Sequence, residues 1–321
     1  MMFDCSQKVV HQRVDFSFLR VRNIALFVKR EDVLHPFVSG NKFRKLKYNI
    51  LQAQKEGKKT LLTFGGAYSN HIAATATAAK LSGFDSVGVI RGEELAGKIH
   101  QNPTLSFCIK EGMKLHFVSR EAYRQKHSPT FLKSFLKKYP DAYLIPEGGT
   151  NELAIKGCEE ILTPDDAFFD FVGVAVGTGG TFAGLVKRAY PSQKVLGFSV
   201  VRDLQLSQKI KGFCGEIAPH QINTNYIFGG YAKVTEPLIH FINDFKKQTG
   251  ILLDPIYTGK MMYGLCDLIK KDFFQKGSAI LAIHTGGLQG IDGMNVLLKK
   301  RGLPVIDKKK DVKLTCTQWT P

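Results

Sequence analysis

The sequence predicts an α/β protein built on open parallel β-sheets. Short β-rich segments recur along the chain, and each is followed by a stretch that is compatible with a helix. These segments are nearly continuous apolar runs, which is typical of parallel strands covered by helices on both faces. Glycine-rich turns follow the predicted strands, at the carboxyl ends where open α/β sheets bind ligands. Four such turns, at 65–66, 148–149, 177–180 and 286–287, are expected to converge on one crevice.

Seven strands are predicted from the apolar runs. In chain order they are TLLTF from residue 60, SVGVI from 86, KLHFV from 114, AYLIP from 142, FVGVAV from 171, KVLGFSV from 194 and SAILAI from 278. Two helices have clear boundary signals. The alanine-rich segment 70–83 begins with Asn70, which is able to cap a helix, and it stops at Gly83. The segment 238–250 stops at Gly250 in the same way.

Length and composition favour a two-domain protein in the cytoplasm. The chain has 321 residues, 44% of them hydrophobic, which exceeds the usual size of one compact unit. No linker or internal repeat divides it, so a second domain is expected to be an insertion. The longest apolar runs are far shorter than the roughly 20 residues that cross a bilayer. The first residues lack the apolar core of a signal peptide, so we expect a cytoplasmic location.

Charge and cysteine content argue against several classes of protein. Lys and Arg exceed Asp and Glu by 45 to 28, a net charge of +17, but the excess is spread along the chain. The densest run, KKKDVK at 308–313, is interpreted as a solvated tail. Nucleic-acid and zinc-hydrolase motifs are absent from the sequence. The six cysteines form no CxxC pair, so we expect reduced thiols and no metal site.

The segment SGNKFRKLKY at 39–48 places Lys42 just after a Gly-Asn turn, with Lys45 one helical turn later. A solvated helix face would account for such a segment. A lysine that reacts with carbonyl compounds would also lie near a helix start, where the positive field lowers the pKa of its amine. The sequence pattern leaves both interpretations open.

The segment GGAYSNHIAA at 65–74 joins two glycines to Ser69, Asn70 and His71 at a strand-to-helix turn. Hydroxyl, amide and free N–H groups at such a turn are able to bind a carboxylate. The segment is not the GxSxG elbow of serine hydrolases. Simple helix capping by Asn70 is the alternative.

The segment VGTGGTFAG at 176–184 is a candidate phosphate loop. It follows an apolar strand and precedes a helix, and its glycines let the backbone approach an anion closely. It matches neither the Walker motif nor the dinucleotide GxGxxG pattern, and a plain structural turn is the alternative. Two later segments offer further polar groups, namely Tyr257 with Thr258 and His284 with Thr285. A lone histidine such as His284 is more often a satisfied core residue.

Taken together, these segments resemble the pyridoxal-phosphate enzymes of the tryptophan-synthase-β class. Within that class they are similar to the family of 1-aminocyclopropane-1-carboxylate (ACC) deaminase and D-cysteine desulfhydrase. The resemblance is carried by five blocks in the family's order: KREDVLHPFVSGNKFRKL at 29–46, GGAYSNH at 65–71, VGTGGTFAG at 176–184, DPIYTGKMMYG at 254–264 and HTGG at 284–287. They span most of the chain.

The resemblance implies the cofactor pyridoxal 5'-phosphate and a role for each matching residue. Lys42 is expected to bind the cofactor covalently and to move the Cα proton. Asn70 is expected at the cofactor's phenolic oxygen and Thr285 opposite its pyridine nitrogen. The phosphate is expected at Gly177, Thr178, Gly179, Gly180 and Thr181, with Lys45 as a second positive charge. Ser69, Asn70, His71, Tyr257 and Thr258 are expected around the substrate.

The resemblance also implies the fold called type II, with two open twisted parallel-sheet domains. A small domain at 46–150 would be inserted into a large one formed by 1–45 and 151–321. The expected assembly is a homodimer that acts on a small amino acid, with no membrane and no nucleic-acid partner.

Thr258 is a departure from one branch of the family. ACC deaminases resemble this chain at Tyr257 but have Glu at the next position. Ring opening profits from a carboxylate that tunes the cofactor, whereas expulsion of hydrosulfide does not need one. The sequence therefore favours β-elimination on a D-amino acid, with D-cysteine as substrate, and ACC deaminase is the alternative. A nucleotide-binding oxidoreductase and a basic nucleic-acid-binding protein are the alternatives outside the family.

Overall fold

The computed structural model describes residues 9–214 and 218–309. Its ten described strands are β1 (His11–Val14), β2 (Ala25–Lys29), β3 (Thr60–Gly66), β4 (Asp85–Arg91), β5 (Met113–Val118), β6 (Ala142–Ile145), β7 (Phe171–Val176), β8 (Lys194–Ser199), β9 (His220–Asn223) and β10 (Ala279–Ile283). Most of the predicted tail at 308–313 lies outside the described residues, as do Cys5 and Cys316.

Twelve α-helices alternate with these strands in the described part of the chain. They are α1 (Ser17–Arg22), α2 (Asn41–Lys55), α3 (Asn70–Leu81), α4 (Pro103–Lys110), α5 (Arg120–Arg124), α6 (Pro129–Lys138), α7 (Glu152–Glu159), α8 (Gly180–Arg188), α9 (Leu206–Cys214), α10 (Glu236–Thr249), α11 (Thr258–Lys270) and α12 (Gly290–Lys300).

The strands form two sheets, and the fold is the predicted α/β class with parallel sheets. One sheet has the order β1-β2-β10-β7-β8-β9, and all its pairs are parallel except β1 with β2. The other has the order β5-β4-β3-β6 and is parallel throughout. Its strands lie between Thr60 and Ile145, inside the sequence of the six-stranded sheet. The domain boundaries 1–45 with 151–321 and 46–150 stay a prediction.

The central strands are buried because helices cover both faces of each sheet. In the six-stranded sheet, one apolar cluster includes α10 and α11 side chains such as Ile242 and Leu265. A second cluster on this sheet includes Phe182 and Leu185 of α8. The burial of β7 and β10 on both sides accounts for their continuous apolar sequences, which is why the sequence identifies them.

All seven predicted strands occur in the fold, but two details differ from expectation. Strands β1, β2 and β9 were not predicted, and two of them, HQRV and HQIN, are rich in polar side chains. The expected capping role of Asn70 is wrong. The helix is capped by Ser69, whose hydroxyl accepts the N–H of Ile72 at 3.3 Å, and Asn70 is the first residue of α3.

Glycines allow α7 to pack tightly between α2 and α8. A Cβ atom at Gly157 of α7 would lie 2.0 Å from the carbonyl oxygen of Arg44 in α2. A Cβ atom at Gly184 of α8 would lie 2.6 Å from the Cβ atom of Cys158 in α7. Helix α7 therefore packs against both α2, which carries Lys42, and α8, which follows the glycine loop.

We expect Gly157→Ala to lower the free energy of unfolding by about 1–3 kcal/mol, because the added methyl group must push α7 away from the α2 backbone. The matched control is Gly212→Ala in α9, where a Cβ atom meets nothing within 4 Å. There alanine should stabilise the helix by up to about 1 kcal/mol. Urea denaturation of both variants measures the two effects. Equal stability changes would contradict the close-packing argument.

Candidate active site

One cavity of about 870 Å³ opens where the carboxyl ends of several strands meet. Glycines from all four predicted turns line it, namely Gly66, Gly148, Gly177 and Gly286 with their neighbours. The expected convergence of these turns is confirmed. Every site residue predicted from the sequence lines this cavity except Thr258.

Lys42 lies in the first turn of α2, and a close backbone contact fixes that turn. Gly40 precedes the helix with φ +58°, and a Cβ atom there would lie 2.0 Å from the carbonyl oxygen of Thr285. The N–H of Asn41 donates to the same carbonyl at 3.3 Å. The Lys42 amine donates to Asn41 Oδ1 at 3.0 Å, and the Asn41 amide donates to Thr181 Oγ1 at 2.9 Å. Lys42 is thereby tied to both the Thr285 turn and the glycine loop.

The environment of Lys42 favours the neutral amine. Burial lowers the pKa of Lys42, the positive charge of Lys45 lowers it further, and together they bring it to about 7. Cys158 and Asp254 act in the opposite direction but do not offset these two causes. A neutral amine is the nucleophilic and proton-accepting form of lysine. Lys42 is therefore suited to react with a carbonyl group or to take a proton near neutral pH.

Lys45 lies beneath the glycine loop and is almost fully buried. Its ammonium donates to the carbonyl oxygen of Gly148 and to Thr150 Oγ1, both at 3.0 Å. A Cβ atom at Gly180 would lie 3.3 Å from the Lys45 nitrogen and 2.9 Å from Thr150 Cγ2. The loop therefore comes close to a cation only because Gly180 has no side chain.

The glycine loop ends at the start of α8, where backbone N–H groups have no acceptor within the helix. Gly179 caps this helix with φ +89°, a left-handed conformation that favours glycine. The loop, the helix N-terminus and Lys45 together provide donors and positive charge for an anion such as phosphate.

The turn after β3 presents Ser69, Asn70 and His71 to the cavity. Asn70 Oδ1 is buried and has no hydrogen-bond partner in the protein. Its amide nitrogen lies so close to Gly287 that a Cβ atom there would be 2.6 Å away. A buried amide oxygen without a partner is costly, so this atom indicates a bound group that donates to it or a water.

His71 is neutral, and its neighbours fix which ring nitrogen carries the proton. Burial lowers its pKa well below the usual value, and the charges of Lys42 and Lys45 add to this effect. The hydroxyl of Thr63 donates to the carbonyl oxygen of Ile145 at 2.9 Å, so it accepts from His71 Nε2 at 2.8 Å. The buried Nδ1 atom is then an acceptor, and it has no partner in the protein.

Tyr257 and Thr258 lie at the start of α11 and differ in what they contact. Tyr257 lines the cavity, and burial raises the pKa of its hydroxyl well above the usual value, so it keeps its proton. Thr258 is fully buried beneath it. Its hydroxyl donates to Asp254 Oδ1 at 2.8 Å and accepts the Asp254 N–H at 2.9 Å. The expected contact of Thr258 with a substrate is therefore not formed by this side chain, which positions the helix start instead.

His284 is the satisfied core histidine that the sequence suggested. Its Nε2 atom lies 2.7 Å from the carbonyl oxygen of Leu252, and its Nδ1 atom accepts the N–H of Gly286 at 3.2 Å. These bonds hold the turn that carries Thr285 at the end of β10.

Tyr231 is a site residue that the sequence did not reveal. It lines the cavity, and its hydroxyl lies 3.5 Å from that of Tyr257. Its segment is irregular, so no periodic pattern marks it. The only local signal is the pair Gly229 and Gly230 just before it.

Two of the described residues that line the cavity are carboxylates, and both have partners. Glu147 accepts the hydroxyl of Tyr123 at 2.7 Å and pairs with Lys126 at 3.3 Å. Asp203 accepts the ammonium of Lys209 at 2.8 Å. Among the described residues, no group of three or more His, Cys, Asp and Glu side chains is placed to bind a metal ion.

Comparisons with known proteins agree with one another. The family model described as pyridoxal-phosphate dependent enzyme matches residues 16–286. The chain is 33% identical over 292 residues to the bifunctional D-cysteine desulfhydrase/1-aminocyclopropane-1-carboxylate deaminase of Arabidopsis thaliana, covering 83% of this chain and 73% of that one. It is 30% identical to a D-cysteine desulfhydrase of Salmonella newport, covering 82% and 86%. A crystal structure described as an ACC deaminase homologue superposes with a TM-score of 0.77 at 28% identity, over 92% of this chain and 95% of that one.

We expect the reactivity of Lys42 to rise through pH 7 and then level off, because its lowered pKa leaves the amine neutral above that value. Reductive methylation of the cofactor-free protein with formaldehyde and cyanoborohydride, followed by mass spectrometry, gives the rate at each pH. Exposed lysines in the same digest are the internal reference, and their rates should still rise toward their ordinary pKa of about 10.4.

The variant Lys45→Met tests the cause of this shift, because it removes the neighbouring positive charge and keeps the side chain's length. In this variant, the pH at which the methylation rate of Lys42 is half-maximal should move higher. A Lys42 rate that follows the exposed lysines would contradict the neutral amine.

Proposed function

Because this chain belongs to the family of pyridoxal-phosphate-dependent enzymes, we propose that it catalyses β-elimination on a D-amino acid, with D-cysteine as the substrate. The observation that carries this choice is Thr258, whose hydroxyl bonds to Asp254 at the position where ACC deaminases have a glutamate. Neither of the carboxylates that line the cavity replaces that glutamate, because both are paired at its wall.

The residues of the cavity fit pyridoxal phosphate. An aldehyde needs a neutral amine, and Lys42 supplies one. A phosphate needs N–H donors and positive charge, which the residues Gly177 to Thr181 and Lys45 offer. The amide oxygen of Asn70 has no partner in the protein, and we assign the side chain to the polar edge of the ring. These assignments follow the resemblance residue by residue and are part of the proposal.

When bound, pyridoxal phosphate supplies an electron sink for the carbon atom that loses a proton. Lys42 is the base in our proposal, since a pKa of about 7 leaves a substantial share of its amine neutral near pH 7, and Asn41 holds it at the cavity wall. Thr285 lines the cavity and would offer a neutral hydroxyl to the ring nitrogen. A neutral partner does not hold a proton there as a carboxylate would, and the resulting weaker sink suits a reaction whose leaving group departs quickly.

The elimination balances with one water. The α C–H bond and the β C–S bond of D-cysteine break, the C–H electron pair forms the new double bond, and hydrosulfide leaves. Hydrolysis of the resulting enamine gives pyruvate and ammonia. Tyr257 is the proposed proton donor to the sulfur, because burial keeps its hydroxyl protonated. The Tyr231 hydroxyl lies 3.5 Å away and is the group proposed to return the proton.

The donors proposed for the substrate carboxylate are the Ser69 hydroxyl, the Asn70 amide nitrogen and N–H groups at the start of α3. His71 has a different proposed role from the one first expected. Its Nδ1 atom is an acceptor, so it would bind a donor such as an ammonium group rather than a carboxylate.

ACC deaminase activity is the second candidate function. It is favoured by the name of the bifunctional Arabidopsis thaliana relative, which includes both activities. The homodimer and the cytoplasmic location stay predictions. No helix within 9–214 and 218–309 has the length and apolar character needed to cross a membrane.

We expect the purified protein to be yellow and borohydride to fix the cofactor on Lys42, as peptide mapping would show. Lys42→Ala should lose the covalent attachment and at least about 10²-fold in turnover, because both the carbonyl-reactive amine and the base are removed. The matched control is Lys47→Ala, on the same helix but paired with Glu160. Attachment of the cofactor to another lysine would overturn the assignment.

We expect hydrogen sulfide and pyruvate from D-cysteine, and little ammonia from ACC. An assay of both substrates together with L-cysteine, under the same conditions, tests the substrate and its stereochemistry. Thr258→Ser keeps the hydroxyl bonded to Asp254 and should retain sulfide release, whereas Thr258→Glu places a second carboxylate beside Asp254 and should lower stability. Efficient ring opening with negligible sulfide release by the unmodified protein would favour ACC deaminase instead.

A further inference from the structure

Lys260 is a buried cation whose only described hydrogen bonds go to a loop at the cavity. It lies in the first turn of α11, and its side chain is fully buried. Its ammonium donates to the carbonyl oxygen of Ile227 at 2.9 Å and to that of Gly230 at 2.8 Å. Both acceptors belong to the turn that immediately precedes Tyr231.

This turn has an unusual backbone conformation. Positive φ values occur at Phe228 (49°), Gly229 (89°), Gly230 (122°) and Ala232 (56°). Two of these residues are not glycine, and a side chain makes the left-handed region unfavourable. Within the turn, the N–H of Gly230 donates to the carbonyl oxygen of Ile227 at 2.9 Å. A conformation of this kind persists only where other contacts hold it, and Lys260 provides two of them.

The segment that precedes Lys260 in the chain fixes Tyr257. The carboxylate of Asp254 accepts the N–H groups of Ile256 and Tyr257 at 2.9 Å and that of Thr258 at 2.7 Å. Asp254 thereby holds the backbone of one tyrosine, while Lys260 holds the turn that carries the other. The two hydroxyl groups lie 3.5 Å apart.

Filling space does not account for a lysine at this position. A buried ammonium loses its hydration, whereas methionine, which has nearly the same length, would fill the volume without that cost. Burial lowers the pKa of Lys260 to about 8, and the carboxylate of Asp254 is the group that opposes this shift. The donors of the side chain, not its volume, are what the turn requires.

We propose that Lys260 is a positioning residue, whose ammonium holds the turn Ile227–Gly230 so that the Tyr231 hydroxyl lies beside that of Tyr257 in the cavity. Its effect on turnover rests on the proposed function, but its effect on the turn does not. The two are therefore measured separately.

The first measurement is hydrogen–deuterium exchange at residues 226–233 in the intact protein. Lys260→Met should accelerate exchange there by at least tenfold. The matched control is Lys29→Met, since Lys29 is equally buried but pairs with Asp166 in another part of the fold. It should leave exchange at 226–233 unchanged. If Lys260→Met does not fold, Lys260→Gln keeps amide donors at the same place and should give a smaller acceleration. Unchanged exchange in the folded Lys260 variant overturns the proposal.

The second measurement is a double-mutant cycle on sulfide release. Tyr231→Phe should lower kcat, and Lys260→Met should lower it to a similar level with a smaller change in KM. In the Tyr231→Phe background, Lys260→Met should lower kcat by no more than a further twofold, because the Tyr231 hydroxyl that Lys260 positions is already gone. If the fold losses in kcat of the two single variants multiply in the double variant, the proposal is overturned. If the unmodified protein releases no sulfide, the proposed function fails, and the exchange experiment still decides the role of Lys260.

Discussion

The contact between the start of α2 and the turn after β10 is the constraint on which the candidate site depends. The backbone of Gly40 lies against the Thr285 carbonyl, and the Asn41 N–H donates to that same oxygen. Lys42 follows Asn41 on one side of this contact, and Thr285 itself forms the other side. Any side chain at Gly40 would separate these two groups. The backbones that carry the reactive amine and the hydroxyl proposed to face the ring nitrogen are thus set by one contact, and the bond of Lys42 to Asn41 then orients the amine.

Burial lowers the pKa of three lysines in and around the cavity. The pKa values of Lys42, Lys45 and Lys260 are all lowered, with burial as the largest cause, while burial raises the pKa of Asp254. Burial therefore disfavours the charged form of each of these groups. An anionic ligand would reverse this tendency for the lysines close to it. The lysines at the cavity therefore favour an anionic ligand. The described carboxylates in its lining, Glu147 and Asp203, are already paired with other lysines.

Much of this arrangement could be predicted from the sequence, because parallel strands buried on both faces leave continuous apolar runs and their turns leave glycines. That reasoning found β3, β7 and β10 and brought Lys42 and the loop at 177–181 to one cavity. It failed where the decisive interaction is not local. Strands β1 and β9 are edge strands with polar sequences. The bond of Thr258 to Asp254 and the place of Tyr231 depend on side-chain direction and on a turn held by a distant lysine.

The close packing of α7 between α2 and α8 limits which substitutions the fold tolerates. Its glycine contacts join α2, which carries Lys42, to α8, which follows the glycine loop, so a change of volume there disturbs both helices at once. The Tyr231 turn, in contrast, is attached through two hydrogen bonds from a single side chain. Mutations can remodel that turn while the helices around the glycine loop stay intact. Substitutions in the Tyr231 turn are therefore expected to change the shape of the cavity at a far smaller cost to the fold than substitutions at Gly157 or Gly184.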